Sequence, residues 1–587
     1  MTTRSGRQVK KPTRLTYDVI SLNLSYDEAS TIIARVLTTV GRNDEYRIGK
    51  DYPFNKAKKL FGDKANKSAY KEFEQIHLRK TFKPVDPQKM TREESEKVLR
   101  SIVLTKMKDT GECKTRTVAD GSQQRGTMSD EEKASPTARL EFILLTAIIE
   151  AKQRRDVAVL DVPNAFLHSD LPENQRVIMT LTGELAEIMV SIAPSIYRPY
   201  IITRNGKKML FVELQKALYG LLQAALLFYE KLSADLQEYG FKINPYDPCV
   251  ANKDVNGKQM TVVWHVDDLK VSHQDPKQVD KFIEFLRSKY EDDTGKVKVN
   301  RGTRHKYLGM TLDYGTPGSV KIDMCDYVEM VIKEFPEEIT GVARTPAADH
   351  LFRVNVGEQK LDALKAEQFH TTVAKCLFLC KRARPDIQVA VAFLCTRVKE
   401  PDQDDWKKLV RLVQYLNGTK SLNLTLTASN SNDVEWWVDS SYAVHPDFKS
   451  HTGIAMSMGK GTPIASSHKQ KMNTISSTEA ELVGASEATQ YILWVNNFLK
   501  EQGYSVGVPN LYQDNKSAIL LEKNGMRSSS KRSRHINIRY FFIADCVQKK
   551  QLAVKYCPTN DMLADFFTKP LQGQKFIKFR NLILNIE

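Results

Sequence analysis

Apolar positions along this chain recur with two periods, and the switches between them outline alternating helices and strands. From about Tyr70 to Tyr314 helical and strand patterns interleave, as an α+β fold requires. Phe142 to Ala151 reads as an apolar helix whose C-terminal dipole is complemented by Lys152, Arg154 and Arg155. It runs directly into the strand Val157-Ala-Val-Leu-Asp161. Residues 320 to 430 read as mostly helical. Asp402 or Asp404 is placed to cap a helix with Trp406, Leu409, Val410, Val413 and Leu416 facing inward and Gly418 closing it. A strand-rich block begins at Val434, so a boundary is expected near 430. No internal repeat is evident.

One apolar run breaks the pattern. Thr261-Val-Val-Trp-His-Val-Asp-Asp-Leu269 carries two adjacent acids in a β-branched, aromatic stretch. Strands avoid Asp, and neighbouring carboxylates repel unless a cation lies between them. Successive strand side chains point to opposite faces, so both acids reach one site only at a tight turn. Paired carboxylates at a hairpin tip suit a hard divalent metal. An ordinary surface turn is the plain alternative, but these flanks are too apolar for one.

Charge and cysteines narrow the class. The 587 residues suggest roughly four domains. The 87 Lys plus Arg against 71 Asp plus Glu leave a net charge of +16, which suits a polyanionic partner. Arg4, Arg7, Lys10, Lys11 and Arg14 make a basic start, read as a solvated tail with a nucleic-acid-contacting arm as the alternative. Eight cysteines without paired spacing argue against a disulfide framework, and Cys376 and Cys380 sit in an apolar helical pattern as core residues. There is no run of ~18 apolar residues and no hydrophobic leader, so a soluble intracellular protein without membrane partners is expected.

Asp161 closes its strand and is followed by Val-Pro-Asn-Ala-Phe166-Leu-His. Alone it would be a turn or cap residue. With Asp267 and Asp268 it makes three carboxylates on two strands, a set able to hold two Mg²⁺ ions ~4 Å apart.

The ordered words Asp-Val-x-x-Ala-Phe-Leu-His (161–168), Lys-Ala-Leu-Tyr-Gly-Leu-x-Gln-Ala (216–224), Val-Asp-Asp (266–268) and Tyr-Leu-Gly-Met (307–310) resemble a copia-type (Pseudoviridae) retrotransposon reverse transcriptase. Lys114-Thr-Arg116-Thr-Val-Ala-Asp-Gly121-Ser-Gln-Gln124 is similar to that family's fingers segment. The resemblance implies that Asp161, Asp267 and Asp268 ligate the polymerase metals. It implies that Phe166 is an aromatic gate beside the sugar, excluding a ribose hydroxyl by sterics, with an ordinary core aromatic as the alternative. Tyr219 and Gly220 would line the template and incoming-base side, and Lys114 and Arg116 would hold the triphosphate. The chain departs from the pattern at His265, where Tyr or Phe is usual. It departs again at Asp120, Leu222, Ala225 and Leu226, where basic residues and a proline are usual.

A second acid set lies C-terminal. Asp439 ends the strand Val434-Glu-Trp-Trp-Val; Glu481 follows Thr478 by three, as in a capping box; Asp514 is placed to cap a helix from Asn515; Asp565 lies in a helix begun by Thr559. Each has a structural explanation alone. Together, with Ser476-Ser-Thr-Glu-Ala-Glu-Leu, Gln513-Asp-Asn-Lys-Ser-Ala, Arg534-His-Ile-Asn-Ile-Arg-Tyr and Leu563-Ala-Asp-Phe-Phe-Thr-Lys-Pro-Leu571, they resemble the copia ribonuclease H region and its two-metal site. Arg527, Lys531, Arg532, Arg534, His535 and Arg539 are expected to track a hybrid's phosphates, with His535 aiding product release or orienting an acid.

The resemblance therefore implies an α+β/α/β multidomain protein: a palm-and-fingers reverse transcriptase fold followed by a ribonuclease H-like mixed five-stranded sheet with helices. The expected layout is a basic tether over 1–65, fingers and palm over 66–320, a helical thumb or connection over 321–430, and a ribonuclease H-like domain over 431–587. Its cofactors would be Mg²⁺ or Mn²⁺, two ions per active site. Its partners would be RNA template, primer, DNA, RNA–DNA hybrid and deoxynucleoside triphosphates, with the integrase and capsid of the same polyprotein as further candidates. The location implied is a cytoplasmic virus-like particle, with the nucleus as a second. The competing reading is a co-opted relic that binds nucleic acid without catalysis.

Overall fold

The computed structural model describes residues 50–108, 110–124, 129, 134–525 and 537–586. The basic start from Arg4 to Arg14 lies outside them, as do Arg527, Lys531, Arg532, Arg534 and His535. The described chain forms two compact units. One holds Asp156–Arg301 with the described residues before Arg139; the other holds Arg139–Arg155 with the chain from Gly302 onward.

In the first unit, helix α1 (Asp63–Leu78) buries Ala65, Ala69, Phe73 and Ile76, spaced by four, four and three residues as one apolar face demands. Strands β1 (Leu99–Met107) and β2 (Cys113–Ala119) form an antiparallel hairpin within a seven-stranded sheet. On β2, Thr115, Thr117 and Ala119 are buried while Lys114, Arg116 and Val118 point the other way, the two-residue alternation of a half-covered strand.

A second, six-stranded sheet carries β3 (Asp156–Asp161), β4 (Lys258–His265), β5 (Asp268–His273) and β6 (Lys298–Arg301). Strand β3 lies between β5 and β6, and β4 pairs with β5. Residues Val157 to Leu160 and Met260 to Trp264 are buried in unbroken runs, because this part of the sheet is covered on both faces. Helices α2 (Ala224–Glu238) and α3 (Pro276–Tyr290) belong to the same unit; Asp275 caps α3 by accepting from the Lys277 N–H.

In the second unit the helix Leu140–Gln153 buries every residue from Phe142 to Ala151, so it is a core helix rather than an amphipathic one. Lys152 is the cation in its last turn, as expected, and donates to the Ser429 carbonyl at 2.6 Å; Arg154 is the left-handed C-cap at φ 51°. Helix α4 (Ala363–Arg382) buries Cys376 and Cys380 as expected, and none of the eight cysteines is in a disulfide. Asp402, not Asp404, caps α5 (Gln403–Gly418), in a reciprocal box with Asp405. Val410 is only half-buried, and Leu412 and Tyr415 take the inward stripe instead.

The last sheet has five strands. β7 (Glu435–Ser441) is central; β8 (His451–Ser457) and β9 (Ile464–Lys469) extend it antiparallel on one side. On the other side β10 (Asn510–Gln513) and β11 (Ala553–Tyr556) extend it in parallel. The spatial order β9-β8-β7-β10-β11 is the mixed five-stranded ribonuclease H arrangement expected. Helix α6 (Ser477–Glu501) packs on β7, and α7 (Lys516–Asn524) and α8 (Asn537–Gln548) follow β10. No described helix is long and apolar enough to cross a membrane.

Candidate active sites

The β4–β5 hairpin closes with Val266 and Asp267 as its two turn residues, since His265 and Asp268 are paired across it. Val266 is held at φ 60°, a region costly for a β-branched residue. That conformation turns the chain tightly enough to bring two consecutive acids toward one place. Asp268 lies directly opposite Asp161 on β3, and the Val162 N–H donates to the Asp267 carbonyl at 3.3 Å. On the other side of Asp161 stands Lys298 of β6, its Nζ 2.6 Å from Asp161 Oδ2. Asp268, Asp161 and Lys298 thus form one row across three strands.

Electrostatics mark the crowding. Burial raises the Asp267 carboxyl, and Asp161 raises it further while Arg116 and Lys114 oppose. Burial, then Asp267 and Asp161, push Asp268 up to about 6, against the pull of Lys298. Lys114 is lowered by burial and by Arg116, with Asp161 opposing, so both β2 cations act on the acid group. Behind them Glu72 of α1 accepts from the Thr117 N–H at 2.8 Å, and burial raises it to about 6.

Phe166 lies in the short turn Ala165–His168 and is buried, with its ring 4.5 Å from Tyr219 and 6.4 Å from Phe228. Arg116 lies over the Tyr219 ring at 5.8 Å. Burial and Asp267 push the Tyr219 phenol up to about 12. Gly220 sits at φ 89°, where a Cβ would come 2.1 Å from the Ala119 carbonyl oxygen and 2.5 Å from Val118 Cγ1. Only glycine allows this loop to lie against β2. The departures have local uses. Asp120 accepts from the Ser122 N–H and hydroxyl, an Asx turn after β2. Leu222, Ala225 and Leu226 are half-buried at or just before the first turn of α2.

At the second site, the oxygens of Asp439, Glu481 and Asp514 come within 4.8 Å of one another, and among the described residues no other acid trio does so. Three local expectations are corrected. Asp439 lies inside β7 rather than at its end, because pairing with β8 continues through Ser441 and overrides the low β-propensity of Asp. The α6 cap is Ser476, which accepts from the Glu479 N–H, so Glu481 has no capping duty. Asn515 caps α7 by accepting from the Ala518 N–H, which releases the Asp514 carboxylate to accept from Thr559 Oγ1 at 3.1 Å.

Asp565 also differs: it begins its own helix, Asp565–Thr568, with Ala564 as the cap. Its carboxylate is held by Lys569 Nζ at 2.5 Å and Lys575 Nζ at 2.7 Å. Lys569 also reaches Asp439 Oδ2 at 3.4 Å, and Thr568 Oγ1 donates to Asp439. Burial raises Asp439 to about 6, with Lys569 opposing and Asp565 and Asp514 adding to it. Glu481 is driven well above the carboxylate range by burial, then by Asp439 and Asp514. Burial alone would lower Lys569, but Asp439 and Asp565 outweigh it and hold the ammonium charged. Among the sequence candidates, His535 lies outside the described residues. The reading missed Lys298, Lys569 and Lys575. Lys569 lies four residues past Asp565, the spacing of a helical ion pair, whereas Lys575 reaches it from the following helix, Gly573–Leu584.

The first unit carries an acid pair across neighbouring strands, and the second unit's mixed five-stranded sheet has the ribonuclease H-like strand order. Residues 80–347 match the family "Reverse transcriptase (RNA-dependent DNA polymerase)" and are a reverse transcriptase domain from a retrotransposon Pol polyprotein. The chain is similar to the retrovirus-related Pol polyprotein from transposon TNT 1-94 of Nicotiana tabacum, 27% identical over 88% of this chain and 37% of that one. It is also similar to that from transposon RE2 of Arabidopsis thaliana, 26% identical over 80% of this chain and 30% of that one. These relatives bear out the copia-type likeness read from the motifs. The chain spans about a third of their length. A foamy viral protease–reverse transcriptase in complex with double-stranded DNA is 13% identical with a TM-score of 0.49, covering 94% of this chain and 84% of that one.

Proposed function

We propose that this chain is an RNA- and DNA-directed DNA polymerase with ribonuclease H activity, the two reactions residing at the two acid clusters. The observation that carries the polymerase reading is the register of Asp268 opposite Asp161, with Asp267 in the turn beside them. The donor set fits hard divalent ions: all ligands are carboxylates, and burial plus mutual repulsion raise Asp267 and Asp268. Asp161, Asp267 and Asp268 would hold Mg²⁺ or Mn²⁺ at one site, and Asp439, Glu481, Asp514 and Asp565 at the other. Bound ions supply Lewis-acid activation of a hydroxyl or water and compensate charge on the leaving oxygen.

Around them the protein's own groups do the positioning. Lys114 and Arg116 present cations to the triphosphate. The Phe166 ring, braced on Tyr219, leaves no room for a 2′-hydroxyl, while Tyr219 and Gly220 shape the base side of the pocket. At the second site Thr568 and Lys569 fix the Asp439 carboxylate, and Lys575 fixes Asp565. The 2′-hydroxyl distinguishes the RNA strand to be cut. Template, primer and hybrid are the partners this predicts, within a cytoplasmic virus-like particle.

Primer extension on an RNA template with and without divalent metal is the test. Extension should require Mg²⁺ or Mn²⁺ and be lost in Asp267→Asn; protein that binds primed template yet adds no nucleotide would refute the catalytic reading. The lysines seated on Asp161 and Asp565 favour a second reading, a nucleic-acid-binding relic, which that negative result would support.

A further inference from the structure

Gln75, in the last turn of α1, and Arg79, its C-cap, both reach the turn that carries Phe166. Arg79 is buried, and its guanidinium is fully engaged. Its Nε donates to Thr294 Oγ1 at 2.7 Å, and its Nη2 reaches Asp292 Oδ1 at 3.0 Å and Oδ2 at 2.9 Å. Its Nη1 lies 3.1 Å from His168 Nε2. The same Nε2 lies 3.0 Å from the Pro163 carbonyl oxygen, and a neutral ring nitrogen serves one of the two: protonated, it donates to Pro163 and packs against the guanidinium; bare, it accepts from Arg79. Burial and then Arg79 lower His168 to about 4, which keeps it neutral beside the guanidinium.

Gln75 completes the clamp. Its Nε2 donates to the Thr294 carbonyl at 2.8 Å, and its Oε1 accepts from Asn164 Nδ2 at 3.2 Å. Asn164 is the left-handed residue, φ 50°, from which the Phe166 turn starts. The 292–295 bend closes the other side: a Cβ on Gly295 would come 2.7 Å from Pro163 Cβ. One helix face therefore ties two otherwise separate segments to each other around Phe166. A planar fork with several fixed donors does this where a lysine would not.

We propose that Arg79, acting through His168 and seconded by Gln75, is a positioning residue that sets the Phe166 ring and with it the discrimination between deoxy- and ribonucleotides. This rests on the polymerase reading above. Discrimination by sterics depends on sub-ångström placement, and a shift of that size in a non-contacting residue is felt at the reacting centre.

The test compares kcat/KM for a deoxy- and a ribonucleoside triphosphate in wild type, Arg79→Gln, Phe166→Ala and the double variant. Arg79→Gln should lower the deoxy preference on the order of tenfold, and add nothing further in the Phe166→Ala background, because coupled positions are non-additive. Full preference in folded Arg79→Gln, or additive losses, would overturn the proposal. Arg79→Lys keeps the buried charge and should show the same loss if the Gln variant fails to fold. Hydrogen exchange gives a readout independent of activity: the Leu167 and Ser169 amides, bonded to Asn164 and Phe166 carbonyls, should lose protection in the variant while β4 and β5 keep theirs. Unchanged protection would overturn the clamp. A wild type that extends no primer would instead refute the polymerase reading, with the exchange result still deciding the clamp.

Discussion

The acids of this chain cost it stability where they would serve function. Glu481 and Asp439 are buried beside Asp514, and both are raised above their ordinary values. A raised carboxyl favours the folded state fully below its unfolded pKa, near 4, and that advantage is lost as pH rises through the folded value. For Asp439 the loss spans about pH 4 to 6. By pH 7 the Asp439 part of that advantage is gone. Glu481→Gln should raise the thermal midpoint of metal-free protein at pH 7, with the gain shrinking toward pH 4, because burial and the neighbouring acids raise this carboxyl. Added Mg²⁺ should stabilise wild type and not the variant, since a ligand that binds only the native state shifts it by mass action. Scanning calorimetry at both pH values, with and without metal, reads this; an unchanged midpoint at pH 7 would argue against a strained acid cluster.

Elements bring these residues together through close approaches. Helix α6 lies close against β7 at Gly484, one turn past Glu481: a Cβ there would come 2.6 Å from Ser440 Oγ and 3.3 Å from Thr452 Cγ2. Gly484→Ala should push the helix outward, costing about 1–3 kcal/mol by overpacking and more in hybrid cleavage than in stability. Cleavage and denaturant midpoint measured together check it; full cleavage in the variant would show that helix placement is not limiting. The loop at Gly220 plays the same part for the first site, held against β2 by its missing side chain.

At the scale of the molecule, the acid sets lie in separate compact units, each with its own sheet. Asp439→Asn should therefore abolish hybrid cleavage while leaving primer extension largely intact. Loss of both in a folded variant would mean the units do not work independently. The net charge of +16 leads to a second expectation. Binding to primed template should weaken by about three orders of magnitude between 50 and 200 mM salt, as phosphate contacts release counterions. Filter binding across that range measures the slope, and a flat profile would remove the cationic-groove argument.

Much was legible before any fold was known. The paired acids at 267–268, the core helix around Phe142 and a strand-rich block from Val434 follow from period, burial tendency and turn chemistry, which are local; the five-stranded sheet came from the motif resemblance. What each acid does locally was not legible. Asp439, Glu481 and Asp514 were each open to a reading as a cap or turn residue, and pairing, Ser476 and Asn515 took those duties instead; Asp565, read inside a helix begun by Thr559, begins its own. Lys298, 137 residues from Asp161, and Arg79, 89 from His168, meet their partners only through strand register and helix packing. Sequence by itself determined which residue types could do the chemistry. Tertiary structure decided which of them meet, because a contact across that many residues is set by the fold and not by any local preference.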